Sequence, residues 1–253
     1  MSPPDLTRLA ATAAEVAAEW GISLDTPYRL ARYSYVAPAG DGAVLKVTPV
    51  EDDEADEEPD ALALWAGDGA VRLLRHDPTR RALLLARAHP GDDLASLPEP
   101  DATQIAVEVA QRLWRPADAP FRWIGDHVPR WLAAAEEASG RRLLPLARRL
   151  YADFDVGSRT LVHGDFHHHN VLASGDTHVA IDPKPMLGEP EFDVASFLWN
   201  PLSYRMRPDV TERRIAAFVA AGLDERRIRM WAIIRGAYLA PEEAVEVLRG
   251  LHT

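Results

Sequence analysis

Residues 160–182 read TLVHGDFHHHNVLASGDTHVAID, and no other stretch of the chain restricts its fold so tightly. An apolar run, TLV, delivers His163-Gly164-Asp165, and four residues later comes Asn170. A turn at Ser174-Gly175-Asp176 leads into a second apolar run, His178 to Ile181, which ends on Asp182. The pattern predicts a strand, a loop and a second strand, with Asp165, Asn170 and Asp182 at the mouth of one hairpin. Three oxygen-bearing side chains so placed suit phosphoryl transfer from ATP. One carboxylate orients and deprotonates an attacking hydroxyl; an Asn oxygen and a second carboxylate hold magnesium, a hard cation that prefers oxygen ligands. The bland alternative, a polar hairpin tip that happens to carry Asp and Asn, requires both the spacing and the flanking strands to coincide by chance.

Composition narrows the partners. The 253 residues are 47% hydrophobic, enough for a sizeable core in one globular unit of two lobes. No apolar run reaches transmembrane length, and the N-terminus carries acid early with no basic region, unlike a secretory signal. There are no cysteines, which excludes disulfides, thiol catalysis and Cys-ligated zinc; a cytoplasmic protein is the simplest expectation. A net charge of -11 argues against nucleic acid and weakly favours a cationic small molecule. The acid run EDDEADEEPD at 51–60 reads first as a solvated loop and helix start. Among 28 basic residues only Lys46 and Lys184 are lysines. Arg does not replace Lys where a compact point charge must meet phosphate oxygens. Both lysines are therefore candidates, and Lys184 stands two positions after Asp182.

Apolar spacing predicts an amphipathic helix over 6–20, strands at 34–39 and 43–47 joined by Gly40-Asp41-Gly42, a helix over 59–66, and strands at 71–76 and 82–86. His89-Pro90-Gly91-Asp92-Asp93 breaks the pattern. Beyond it, helices are expected at 101–114, 129–138, 143–154, 191–199, 210–221, 224–238 and 241–250. The reading is an α+β chain with a small antiparallel-sheet lobe, residues 1–88, and a mainly helical lobe, residues 89–253, with ATP in the cleft between them.

Asp-x4-Asn resembles the catalytic loop of protein kinases, and Asp182 stands where their magnesium-binding Asp would fall. Lys46, in AVLKV, looks like the strand lysine that reaches ATP phosphates and pairs with a helix Glu; an ordinary strand lysine on a solvent face is the alternative. Glu58 is the preferred partner, because Leu62 and Trp65 follow at four and seven residues on one face, with Glu57, Glu54 and Asp60 as competitors. The stretch LARYSYVAPA, where a Gly-rich phosphate loop is expected, contains no glycine, which leaves Ser34 to bring a hydroxyl and backbone N–H to a phosphate. His163 is expected to shape the loop. His167, His168 and His169 cannot all face one ion from a strand or regular turn, so zinc is disfavoured; an acceptor-pocket lining and a plain loop surface both remain open for them. Asp193 is read as structural: it stands as a helix-start acid, and its resemblance to the Asp of Y-D-I-A in aminoglycoside-kinase-like proteins implies a support for the loop. Trp114, Trp131 and Trp199 read first as core, with a sugar-like or cationic ligand as the alternative.

HGDFHHHNVL followed by VAIDPKPMLGEPEFDVASFLWNP, with SYVAPA, AVLKV, LALWAGDGAVRLL and ALLLARAHPGDDL upstream, resembles the aminoglycoside/hydroxyurea antibiotic resistance kinases, from about Ser34 to Pro201. The resemblance implies a protein-kinase-like bilobal fold and ATP- and magnesium-dependent phosphorylation of a hydroxyl on a small polar molecule, with an aminoglycoside-like or amino-sugar acceptor leading. It implies Asp165 as catalytic base, Asn170 and Asp182 as metal ligands, and Lys46 on phosphates. It also implies a hinge at Leu85–Ala88, including Arg87 and Ala88, that offers backbone groups to adenine. His169 stands where a small residue is common and Arg87 where an acid is common. The alternatives are a kinase for another metabolite and a catalytically silent kinase-fold binding protein.

Overall fold

The computed structural model describes residues 5–29, 31, 33–139, 142–157, 159–201 and 206–252. Leu30 and Arg32 of the glycine-free stretch lie outside the described residues. The chain divides into two compact units, one up to Asp92 together with Leu172–Ile181, the other Asp93–Val171 together with Asp182 onward.

The first unit begins with helix α1, Leu6–Trp20, capped by the Asp5 carboxylate, which accepts from the N–H groups of Thr7 and Arg8. Gly21, in the left-handed conformation, ends it. Four antiparallel strands follow in the spatial order β1-β2-β4-β3: β1 Tyr35–Ala39, β2 Ala43–Val47, β3 Leu73–Asp77 and β4 Ala82–Ala86. Helix α2, Glu58–Trp65, lies in sequence between β2 and β3, with Pro59 in its first turn where a missing N–H costs nothing. One core joins the apolar stripe of α1 (Leu9, Ala13, Val16, Ala17) to Ala39, Leu45, Val47 and Ala82 of the sheet. The β-β-α-β-β order matches the sequence reading. A segment that the apolar pattern does not reveal runs beside β1: Asp25 donates to Pro38 O at 3.0 Å and Tyr28 to Val36 O at 2.8 Å.

The hairpin expected around Asp165 needs a correction. The strand before Asp165, β7 (Thr160–Val162), pairs with β6 (Arg115–Pro116) and β10 (Met186–Gly188), not with the strand after Asn170. The true hairpin is β8 (Val171–Ser174) with β9 (Thr177–Ala180), turning at Gly175-Asp176 and paired to β5 (Pro90–Asp93). From Leu172 to Ile181 it packs with the first unit: Val71 donates to Ala180 O and Ala180 to Gly69 O. Asp165 and Asn170 thus precede the hairpin, and Asp182 follows it.

The second unit is mainly helical: α3 Glu99–Leu113, α4 Ile124–Ser139, α5 Leu144–Ala152, α6 Pro190–Trp199, α7 Pro208–Ala220, α8 Glu225–Leu239 and α9 Val245–Gly250. Helix α6 is buried all round from Glu191 to Trp199, as an apolar helix inside a core must be, and packs on α8. These elements agree with the expected α+β class, a small antiparallel sheet followed by helices. Among the described residues no helix is long and apolar enough to cross a membrane.

Candidate active site

In the first unit, Lys46 sits on the inner strand β2, opposite Val36 of β1 and Leu83 of β4. Its ammonium donates to both oxygens of Glu58, at 2.8 and 2.6 Å. Both residues are buried, and Leu62 and Trp65 lie buried on the same helix with Glu58. A buried ammonium is tolerated only with such a partner, so the pair fixes where the lysine points. Ser34 faces Thr48, its hydroxyl 3.5 Å from Thr48 Oγ1. At the end of β4, Arg87 donates its backbone N–H to Gly42 O at 2.9 Å. The carbonyl of Ala88 lies close beside Gly91, which has φ +87°; a Cβ on Gly91 would come within 3.1 Å of it.

In the second unit every backbone polar group from His163 to Asp165 has a partner. The Asp193 carboxylate accepts from His163 N–H and Gly164 N–H, each at 2.8 Å, and from Trp114 Nε1 at 3.0 Å. The carbonyl of His163 accepts from the Lys184 N–H at 2.8 Å. The carbonyl of Gly164 accepts from the Arg235 guanidinium. Asp165 N–H donates to His163 Nδ1 at 3.3 Å, and Asp165 O accepts from Asn170 Nδ2 at 2.9 Å. Gly164 is obligatory: at φ +82° a Cβ would stand 1.8 Å from Lys184 O. Trp114 is accounted for as a partner of Asp193, and Trp199 is buried.

The loop so fixed presents Asp165, whose side chain is 37% exposed. Partial burial pushes its carboxyl up, but His167, with Nε2 3.6 Å from Oδ2, together with Arg235 and His163 outweighs that and holds it below the ordinary range. Asn170 spends its Nδ2 on the Asp165 carbonyl, which puts Oδ1 on the opposite edge of the amide. Asp182 has φ +54°, a strained setting for a residue other than glycine, of the kind found at functional positions. The loop histidines take separate partners. His163 is buried edge-on to Phe166; His168 stacks on Phe197 at 4.0 Å; His169 Nδ1 lies 2.6 Å from Asp93 Oδ2. Burial first, and then Arg214, push the His168 imidazole down to about 2. Because Arg214 only donates, His168 Nε2, 3.2 Å from it, accepts, and Nδ1 carries the proton.

Two participants are not legible in the sequence. Arg214 and Arg235 are buried, from α7 and α8, and both reach the loop. In a chain whose basic residues are nearly all Arg, nothing marks two of them.

Among the described residues no group of three or more His or acidic side chains could hold a metal. Magnesium does not require such a group, since one or two protein oxygens completed by phosphates and water suffice for it.

A buried pair between Lys46 of strand β2 and Glu58 of helix α2, with an Asp-x4-Asn loop pinned to a helical unit, is the arrangement of a kinase-like fold. The chain belongs to the aminoglycoside/hydroxyurea antibiotic resistance kinase family, whose model matches residues 29–244. It is a phosphotransferase that acts on a hydroxyl of a small molecule. It is 35% identical over 240 residues to a hydroxyurea phosphotransferase of Kitasatospora aureofaciens, covering 88% of this chain and 69% of that protein. It is 32% identical over 251 residues to a streptomycin 6-kinase of Streptomyces glaucescens, covering 89% and 80%. Among solved structures, a choline/ethanolamine kinase family protein from Mesorhizobium loti shares the fold, with a TM-score of 0.65 at 14% identity over 95% of this chain and 85% of that one.

Proposed function

We propose that the protein transfers the γ-phosphoryl group of ATP to a hydroxyl of an aminoglycoside-like or amino-sugar acceptor. The acceptor oxygen attacks the γ-phosphorus as its proton passes to the Asp165 carboxylate; the bond from phosphorus to the β,γ-bridging oxygen breaks and ADP leaves. In this reading Asn170 Oδ1 and Asp182 hold magnesium, which when bound offsets the charge of the phosphates. Lys46, held by Glu58, meets the α- and β-phosphates. Ser34 faces the phosphates, and the backbone of Arg87 and Ala88 meets adenine. The observation that carries the reading is the contact of Asn170 Nδ2 with the Asp165 carbonyl at 2.9 Å, which couples the proposed base to a proposed metal ligand. The streptomycin and hydroxyurea kinases among the relatives support a small polar acceptor, and the net charge of -11 suits a cationic one.

The test is ADP release over a panel of aminoglycosides, amino sugars and amino alcohols, with ATP and magnesium. The wild-type protein should turn over at least one; silence on the whole panel together with no thermal shift in ATP and magnesium would favour a nucleotide-free binding protein instead.

A further inference from the structure

Arg235 presents a buried charge beside the loop, felt by the Asp165 carboxyl but given no part in the proposed reaction. It is only 3% exposed, on α8. Its guanidinium donates to Gly164 O, to Phe192 O at 3.2 Å, and lies 4.1 Å over the Phe192 ring. Its Nε is buried with no hydrogen-bond partner, and no carboxylate lies within ion-pair distance of it among the described residues. Buried Arg214, by contrast, has Glu99 at 3.2 Å. A buried cation without an ion-pair partner is costly, and neutral donors would satisfy its two carbonyls at less expense. The carbonyl it holds belongs to the peptide bond whose N–H is that of Asp165. Asp193 grips the same loop from the amide side, through His163 N–H and Gly164 N–H. The loop is thus clamped by an anion on its donors and a cation on its acceptor, both charge-assisted and both stronger than neutral hydrogen bonds.

We propose that Arg235 is a positioning residue of phosphoryl transfer: from beneath the loop it fixes the plane of the Gly164–Asp165 peptide, and with it the direction in which the Asp165 side chain meets the acceptor hydroxyl. The inference rests on Asp165 being the base. Removing the clamp lets the carboxylate swing without touching the nucleotide.

The test compares Arg235→Met and Arg235→Lys with wild type, each scaled to folded, nucleotide-binding protein. Arg235→Met should lower kcat on the order of 100-fold, as small misplacements of a reacting group do, with the KM for ATP within about twofold. Arg235→Lys, which keeps a charged donor for one carbonyl, should recover part of that loss. Amide hydrogen exchange over residues 163–170 needs no acceptor and should quicken in Arg235→Met more than elsewhere in the second unit. If Arg235→Met fails to fold, Arg235→Lys carries both measurements, with partial loss of kcat and quickened exchange expected. A folded variant with wild-type kcat and unchanged loop exchange overturns the proposal. Altered loop exchange in a protein whose wild type never turns over would leave the clamp standing and sink the proposed reaction instead.

Discussion

The carboxylate of Asp193 and the backbone N–H of His163 lie 30 residues apart in sequence and 2.8 Å apart in the fold. Asp193 also accepts from Gly164 and Trp114, so one buried side chain closes three donors of two different elements. Asp193→Ala strands all three. With each stranded buried donor costing roughly 1–3 kcal/mol, a loss of about 3 kcal/mol or more is expected in urea denaturation. A loss under about 1 kcal/mol would mean that the loop finds other acceptors without cost.

Lys46 and Glu58 form a buried pair in the first unit, at 2.6 Å. Removing either partner leaves a buried charge, so Lys46→Met and Glu58→Leu should each destabilise by about 3–5 kcal/mol. The double variant should be more stable than either single one, because no charge then remains buried. Lys46→Met should also abolish the thermal shift given by ATP. Simple additivity of the two single losses would show that the contact carries no coupling.

Two glycines with positive φ separate backbone conformation from crowding. Gly175, at φ +60°, has open space within 4 Å of where a Cβ would stand, whereas a Cβ on Gly164, at φ +82°, would lie 1.8 Å from Lys184 O. Gly175→Ala should cost about 1–2 kcal/mol, the left-handed penalty alone. Gly164→Ala should cost clearly more and should reduce kcat by moving Asp165. Equal losses in denaturation would contradict the crowding argument.

Asp182→Ala should remove the magnesium dependence of nucleotide binding. In thermal-shift titrations, wild-type protein should bind ATP more tightly with magnesium than with EDTA, and the variant equally in both. A magnesium effect that survives in Asp182→Ala would assign the metal to other oxygens.

Local pattern carries most of what the sequence reveals. Lys46 stands out because lysine is nearly absent, and Glu58 because it shares a helical face with Leu62 and Trp65. The Asp165–Asn170 spacing is a property of one continuous loop. Pairing between distant segments is harder to read. β7 is three residues long, β6 two and β10 three, too short for alternation to show, so sequence pattern joins the strand before Asp165 to the wrong partner. The segment beside β1 lacks a strand pattern because it meets only one neighbour at its edge. Arg214 and Arg235 are invisible for a different reason: their burial is set by α7 and α8 packing behind the loop, and an arginine on a helix reads as solvated until its surroundings are known.

The central claim is that Asp165 takes the proton from the acceptor hydroxyl. The most direct measurement is ADP release by Asp165→Asn beside wild type, with the best acceptor of the panel and with folding and ATP binding checked on the same samples. Loss of a positioned general base predicts a fall in kcat on the order of 100- to 10,000-fold with ATP affinity kept. A folded Asp165→Asn protein that releases ADP at the wild-type rate would contradict it.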